Sequence, residues 1–237
     1  MCTLVLAHRV WQSTPVLLAG NRDENVSRPS RPPELWSTGI IAPVDEQAGG
    51  TWLGYNIHGV VAGVTNRFGE RTEQSRRSRG ELVPRALQAS TAKEAAALFS
   101  PEDGLHFNPF HLLIADSVSA WLLRWREDAV EVVELEPGLH IVTERSGHMT
   151  ASGREASLRQ HLGRWSTTEV PTDQSVAGLL GQHGEPEFDG HCVHLRDLDY
   201  ATRSSSILRV SHDGEVRWLF ADGPPCTTPY AAVDARR

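Results

Sequence analysis

Cysteine is scarce in this chain: only Cys2, Cys192 and Cys226 occur in 237 residues. Three thiols so far apart make neither a disulfide framework nor a Cys-x-x-Cys metal knuckle, and such usage fits a reducing compartment. Positive charge is in deficit. Lys and Arg number 23 against 30 Asp and Glu, a formal charge of −7. Nucleic-acid binding draws much of its affinity from a basic face, so that class is disfavoured. No apolar run approaches the roughly 18 residues that cross a bilayer, which argues against stable membrane insertion. The opening apolar run, residues 2–7, stops at His8 and Arg9 and lacks the charged start and longer apolar core of a secretory leader. A cytoplasmic protein is the expectation. No internal repeat, heptad seam or low-complexity tract is present either.

What remains is an ordinary globular composition, 39% hydrophobic and 22% charged. A chain of this length buries about 70% of its unfolded surface and needs no staple to fold. Residues 3–7 and 16–19 read as the strands of a hairpin, residues 49–56 and 58–66 as a second one, and 27–47, rich in Pro, Ser and Arg, as an irregular crossing loop. The charged run 67–79 reads as a loop. Residues 82–98 carry apolar side chains at helical spacing, broken near Ser90, with Thr91 and Glu94 as a capping box. Strands are expected at 110–115, 120–126, 129–135 and 138–142, helices at 154–165 and 175–180, and a final hairpin at 204–211 and 216–220 around Asp213-Gly214. Residues from about 224 read as a loosely held tail. Strand blocks separated by helices predict an α+β layered fold.

Three places bear on chemistry. If the initiator Met is removed, Cys2 becomes the first residue, and its thiol lies beside its own α-amine, a nucleophile next to a built-in base. The plain alternative is a small second residue without a chemical role. The second strand runs into Asn21-Arg22-Asp23-Glu24. A short hairpin brings that polar end back beside Cys2, with Asn21 and Asp23 on one face and Arg22 on the other. An Asp there suits orientation of the amine and an Arg lowers a thiol pKa; a solvated turn with an Arg–Asp pair is the competing account. Asn66 ends the strand 60–65, where its amide suits either an oxyanion donor or a strand terminator. Trp52 lies beside glycines and suits a pocket wall. The arginines of the 67–79 run, Arg67 and Arg79 among them, suit a positive lip over an acidic ligand, although a solvated loop is the commoner role. His191-Cys192-Val193-His194 has loose spacing and no second cluster to support it, so no metal site is expected from it.

The motifs Met-Cys-Thr at the start, Ala-Gly-Asn-Arg-Asp-Glu at 19–24, Gly-Gly-Thr-Trp-Leu-Gly at 49–54, Val-Thr-Asn-Arg at 64–67, Ser-Arg-Gly-Glu-Leu-Val at 78–83, Asn-Pro-Phe-His-Leu-Leu at 108–113 and Thr-Arg-Ser-Ser-Ser-Ile-Leu at 202–208 run in order along the chain. Together they resemble the NRDE family, that of the transport and Golgi organisation protein 2. The resemblance implies one N-terminal-nucleophile hydrolase-like domain over 1–237: a four-layer αββα sandwich of two mainly antiparallel sheets, distantly similar to bile-salt hydrolases and penicillin V acylases. It also implies Cys2 as nucleophile, Asp23 with Arg22 or Asn21 orienting it, Asn66 as oxyanion donor and Arg203 as a late arginine of the site. Thr143-Glu144 stands where the family usually offers Ser-Asn, so a second oxyanion donor is expected to be missing. The implied activity is amide hydrolysis or acyl transfer on a small amide or acyl substrate without a cofactor. The alternative is a carrier for haem or an acyl lipid.

Overall fold

A computed structural model describes residues 2–147, 152–165 and 167–234. The strands are β1 (Cys2–Trp11), β2 (Thr14–Asn25), β3 (Ser30–Leu35), β4 (Ile40–Asp45), β5 (Leu53–Asn56), β6 (Val61–Asn66), β7 (Phe110–Ala115), β8 (Ala120–Arg126), β9 (Ala129–Glu134), β10 (Gly138–Thr143), β11 (His194–Leu195), β12 (Tyr200–Val210), β13 (Val216–Ala221) and β14 (Ala231–Ala232). The helices are α1 (Leu82–Ala86), α2 (Ala92–Ala97), α3 (Gly153–Leu162) and α4 (Asp173–Leu180). One sheet runs β10-β1-β2-β12-β13-β14 with β11 also on β12; the other runs β3 to β9 in chain order. The pairings between these strands are antiparallel.

Alternation along each strand builds the layers. Leu4, Leu6, Val16 and Leu18 of the first sheet meet Leu53, Tyr55, Val61 and Leu113 of the second between the sheets. The opposite face of the first sheet, through Val5, Ala7, Leu17 and Ala19, takes Leu158 and Leu162 of α3 and Val176, Leu179 and Leu180 of α4. The outer face of the second, through Ala62, Val64, Leu112 and Ile114, takes Leu82, Val83 and Ala86 of α1 and Ala92, Ala95 and Ala96 of α2. The result is the αββα sandwich.

Two local expectations need correction. Residues 27–47 are no irregular loop, for they hold β3 and β4. The Pro32-Pro33 pair is tolerated because β3 lies at a sheet edge, with a register shift between Arg31 and Glu34. The polar end of the second strand is not surface loop either: β2 continues to Asn25, and Asn21, Arg22 and Asp23 are buried. Of the tail, residues 231–232 pair with β13 and the Tyr230 hydroxyl hydrogen-bonds Ser205 at 2.6 Å, so that stretch is held against the sheet. At α2 the Thr91 hydroxyl accepts the Glu94 N–H as expected of an N-cap, while the Glu94 carboxylate takes the N–H of Ser90.

Leu6 faces Leu18 across β1 and β2 and is fully buried between the sheets. Leu6→Ala should cost about 2–5 kcal/mol, read as a lower urea midpoint with an unchanged slope; a midpoint shift within error would mean that this layer does not carry the fold.

Candidate active site

The register of three strands builds the site. Cys2 of β1 pairs with Arg22 of β2, and Arg22 pairs in turn with Ser204 of β12. Directly opposed residues share a face, so Cys2 and Arg22 both line a cavity of about 510 Å³ at the open edge between the sheets. Trp52, just before β5, Asn66 at the end of β6, and Arg79 line the same cavity. One cavity wall thus holds Cys2, Arg22, Asn66, Trp52 and Arg79.

The neighbours of Arg22 point the other way. Asp23 is buried beneath β2, where its Oδ2 accepts Arg154 Nη1 at 2.8 Å and its Oδ1 accepts the Thr202 hydroxyl at 2.7 Å. Tyr200 donates to its backbone carbonyl at 2.6 Å. Arg154 also donates to the Thr3 hydroxyl and the Phe188 carbonyl. Asp23 thus backs Cys2 from behind the strand. The structure differs for Asn21: its amide donates to the carbonyls of Leu180 and His191 at 2.9 and 2.7 Å, and its oxygen accepts Ser205. It ties β2 to the helical layer and does not line the cavity. Arg203 lies in the register shift between Thr202 and Ser204, is absent from the cavity wall, and leaves its buried Nε without a hydrogen-bond partner among the described residues.

A second, more apolar cavity of about 430 Å³ adjoins the first and shares Glu24, Asn66 and Arg79 with it. Phe68, Leu195, Leu198 and Tyr200 line it, with Arg67 and Glu144. Arg67 is engaged with the Trp125 carbonyl at 2.7 Å. Glu144, of the Thr143-Glu144 pair, stands on this wall.

Charge in the first cavity favours an anion. Arg28 is held by Asp45, Arg76 by Asp128 and Arg77 by Glu81. Arg22, 4% exposed, stacks on Trp52 at 4.3 Å and comes no nearer than 3.8 Å to Asp45. Both its terminal nitrogens lack a hydrogen-bond partner among the described residues. Burial lowers the pKa of the Arg22 and Arg79 guanidinium groups. The Cys2 thiol is pushed up, first by burial and then by Asp23, while Arg22 pulls it down. The wall bearing Arg79 is fixed by a backbone approach: Gly50, at φ +88°, leaves no room for a Cβ against the Gly80 carbonyl, which accepts the Thr51 N–H at 3.0 Å.

Neither Arg154 nor Thr202 stood out in the sequence. Arg154 opens the helix expected at 154–165, and from α3 its side chain reaches the buried Asp23 carboxylate.

Two outcomes follow from these contacts. Arg154→Met leaves the Asp23 carboxylate buried without its cation and should destabilise by about 3–5 kcal/mol. Thermal melts of this variant and of the double variant with Asp23→Asn check it: the double variant should recover part of the loss, and equal losses in both would deny the coupling. Arg22→Leu removes a cation that stabilises the thiolate. The pH midpoint for alkylation of Cys2 should move upward and its rate at neutral pH should fall, as followed on the N-terminal peptide; an unchanged or lower midpoint contradicts the electrostatic role.

The model of the family described as transport and Golgi organisation 2 matches residues 1–220. Among curated proteins, the Homo sapiens transport and Golgi organization protein 2 homolog is 34% identical over 239 residues, covering 85% of this chain and 84% of its own. The Bos taurus homolog is 28% identical over 240 residues with the same coverage. Among solved structures, Agrobacterium tumefaciens penicillin V acylase superposes with a TM-score of 0.60 at 12% identity, covering 99% of this chain and 86% of that one. The Caenorhabditis elegans ortholog of N-acylethanolamine-hydrolyzing acid amidase gives 0.59 at 12% identity, covering 87% and 92%. At such identity these likenesses concern the fold alone, an αββα sandwich. Sequence and architecture agree, and the chain belongs to the transport and Golgi organisation 2 family.

Proposed function

We propose that this protein is an N-terminal cysteine amide hydrolase or acyltransferase acting on a small anionic molecule, with Cys2 as nucleophile after loss of Met1. The observation that carries the reading is the pairing of Cys2 with Arg22 on the cavity wall, with Asn66 opposite. The Cys2 thiol gives its proton to its own α-amine and the sulfur attacks the substrate carbonyl. The Asn66 amide and a backbone N–H hold the oxyanion. The C–N bond then breaks, the α-ammonium returns the proton to the leaving amine, and water hydrolyses the thioester or a second acceptor takes the acyl group. Asp23, locked by Arg154, positions the nucleophile's strand from behind. The Arg22 guanidinium, whose terminal nitrogens hydrogen-bond no described residue, and Arg79 receive an anionic group of the substrate.

The adjoining apolar cavity favours a second reading, in which the cleft carries an acyl lipid or haem and Cys2 does no chemistry. One experiment separates the two. Intact mass should show Met1 removed. An activated acyl ester should then acylate the N-terminal peptide of the wild type and leave Cys2→Ala unmodified, and a panel including penicillin V and N-acylethanolamines should yield turnover that Asn66→Ala lowers by about 10²–10³-fold. Retained Met1, or equal labelling of Cys192 and Cys226, rejects the enzyme; a Soret shift with haem in a protein that forms no acyl-enzyme supports the carrier.

A further inference from the structure

A second cluster of reactive side chains lies apart from the Cys2 cavity, near the segments that precede β11 and follow β13. The sulfurs of Cys192 and Cys226 are 3.5 Å apart. His194 Nε2 lies 3.2 Å from the Cys226 sulfur and 3.6 Å from that of Cys192. His183 adds a ligand nitrogen within 4.8 Å of those of His194 and Cys226, with the two imidazole rings 5.3 Å apart. Both thiols are free. The four residues span more than forty positions, and within His191-Cys192-Val193-His194 only Cys192 and His194 take part. His191 turns away, its Nδ1 2.7 Å from the Leu179 carbonyl. The cluster draws Cys192 and His194 from that segment and Cys226 and His183 from elsewhere in the chain.

We propose that Cys192, His194, Cys226 and His183 form a tetrahedral zinc site. The donor set is that of a closed Cys2His2 centre, two soft thiolates and two imidazoles. Bond lengths of about 2.3 Å to sulfur and about 2.0–2.1 Å to nitrogen place tetrahedral ligand atoms roughly 3.8 Å apart for a sulfur pair and roughly 3.5 Å for sulfur and nitrogen. The separations among Cys192, Cys226 and His194 sit close to those edges. His183 is exposed and would turn inward as the fourth ligand. Binding replaces the two thiol protons with Zn²⁺ and releases them to solvent.

The site would clamp the backing of the Cys2 cleft. Cys192 N–H donates to the Gln182 carbonyl, so the ligands hold a closed turn. The neighbouring His191 carbonyl accepts the Asn21 amide, and Val193 N–H donates to the same Thr202 hydroxyl that donates to Asp23. This role is positional and does not depend on the reaction proposed for Cys2.

The test uses the full chain, stripped with a chelator and titrated with Co²⁺ and Zn²⁺. One equivalent should bind, Co²⁺ should develop a thiolate-to-metal charge-transfer band, Zn²⁺ should bleach it, and zinc should raise the melting temperature. Cys226→Ser and the surface variant His183→Ala should each weaken binding by at least the roughly 10–100-fold that loss of a ligand's supporting partner costs, while His212→Ala, exposed in the β12–β13 turn, should leave it unchanged. Absence of the charge-transfer band, binding undiminished in both ligand variants, or a Cys192–Cys226 disulfide in protein purified without oxidant would overturn the proposal.

Discussion

The ion pair between Arg154 and Asp23 is the constraint on which the site depends. Its side chains are 1% and 0% exposed, so neither charge can be left without its partner. Desolvating such a pair is offset only when its remaining hydrogen-bonding capacity is also met. Thr202 donates to the Asp23 carboxylate, and the Thr3 hydroxyl and Phe188 carbonyl accept from Arg154; Tyr200 adds a bond to the Asp23 backbone carbonyl. Those contacts come from β1, β2, β12, α3 and the turn before β11. They converge one residue from Arg22 and behind Cys2, and so fix the two strand ends that line the cleft.

The pleat of β2 divides labour between neighbours. Odd positions 21 and 23 serve the helical layer, and position 22 serves the cleft. A strand slipped by one residue would exchange these faces and bury the wrong charge. The ten-residue length of β1 and its pairing on both sides, with β10 and β2, oppose that slip.

Much of this was legible from residue pattern. Short apolar runs around turn formers predicted β1, β2, β5 to β10, β12 and β13, because strands packed on both faces, such as β5 and β7, keep continuous apolar stretches between turns. The Thr91 cap marked α2 for a local reason. The pattern misled where tertiary contacts supplied what local chemistry could not: prolines in β3 are admissible only at an edge, and a polar strand end is buried only if distant partners satisfy it. The same limit governs the site. The meeting of Cys2 and Arg22 follows from one hairpin, whereas Asn66 was joined to them only by the family resemblance. Asn21 was expected beside the nucleophile, but its turn towards Leu180 and His191 depends on α4. Arg154 was invisible because nothing in a charged helix tells which arginine will lose its water.

The contact of Gly50 with Gly80 has a mechanical meaning. Two main chains thirty residues apart touch there without side chains between them, and the arginine-bearing margin turns on that point. Any methyl group at position 50 would act as a wedge, prying the margin outward and widening the mouth without altering a single residue that faces it. The breadth of the opening is thus set by the absence of one carbon atom.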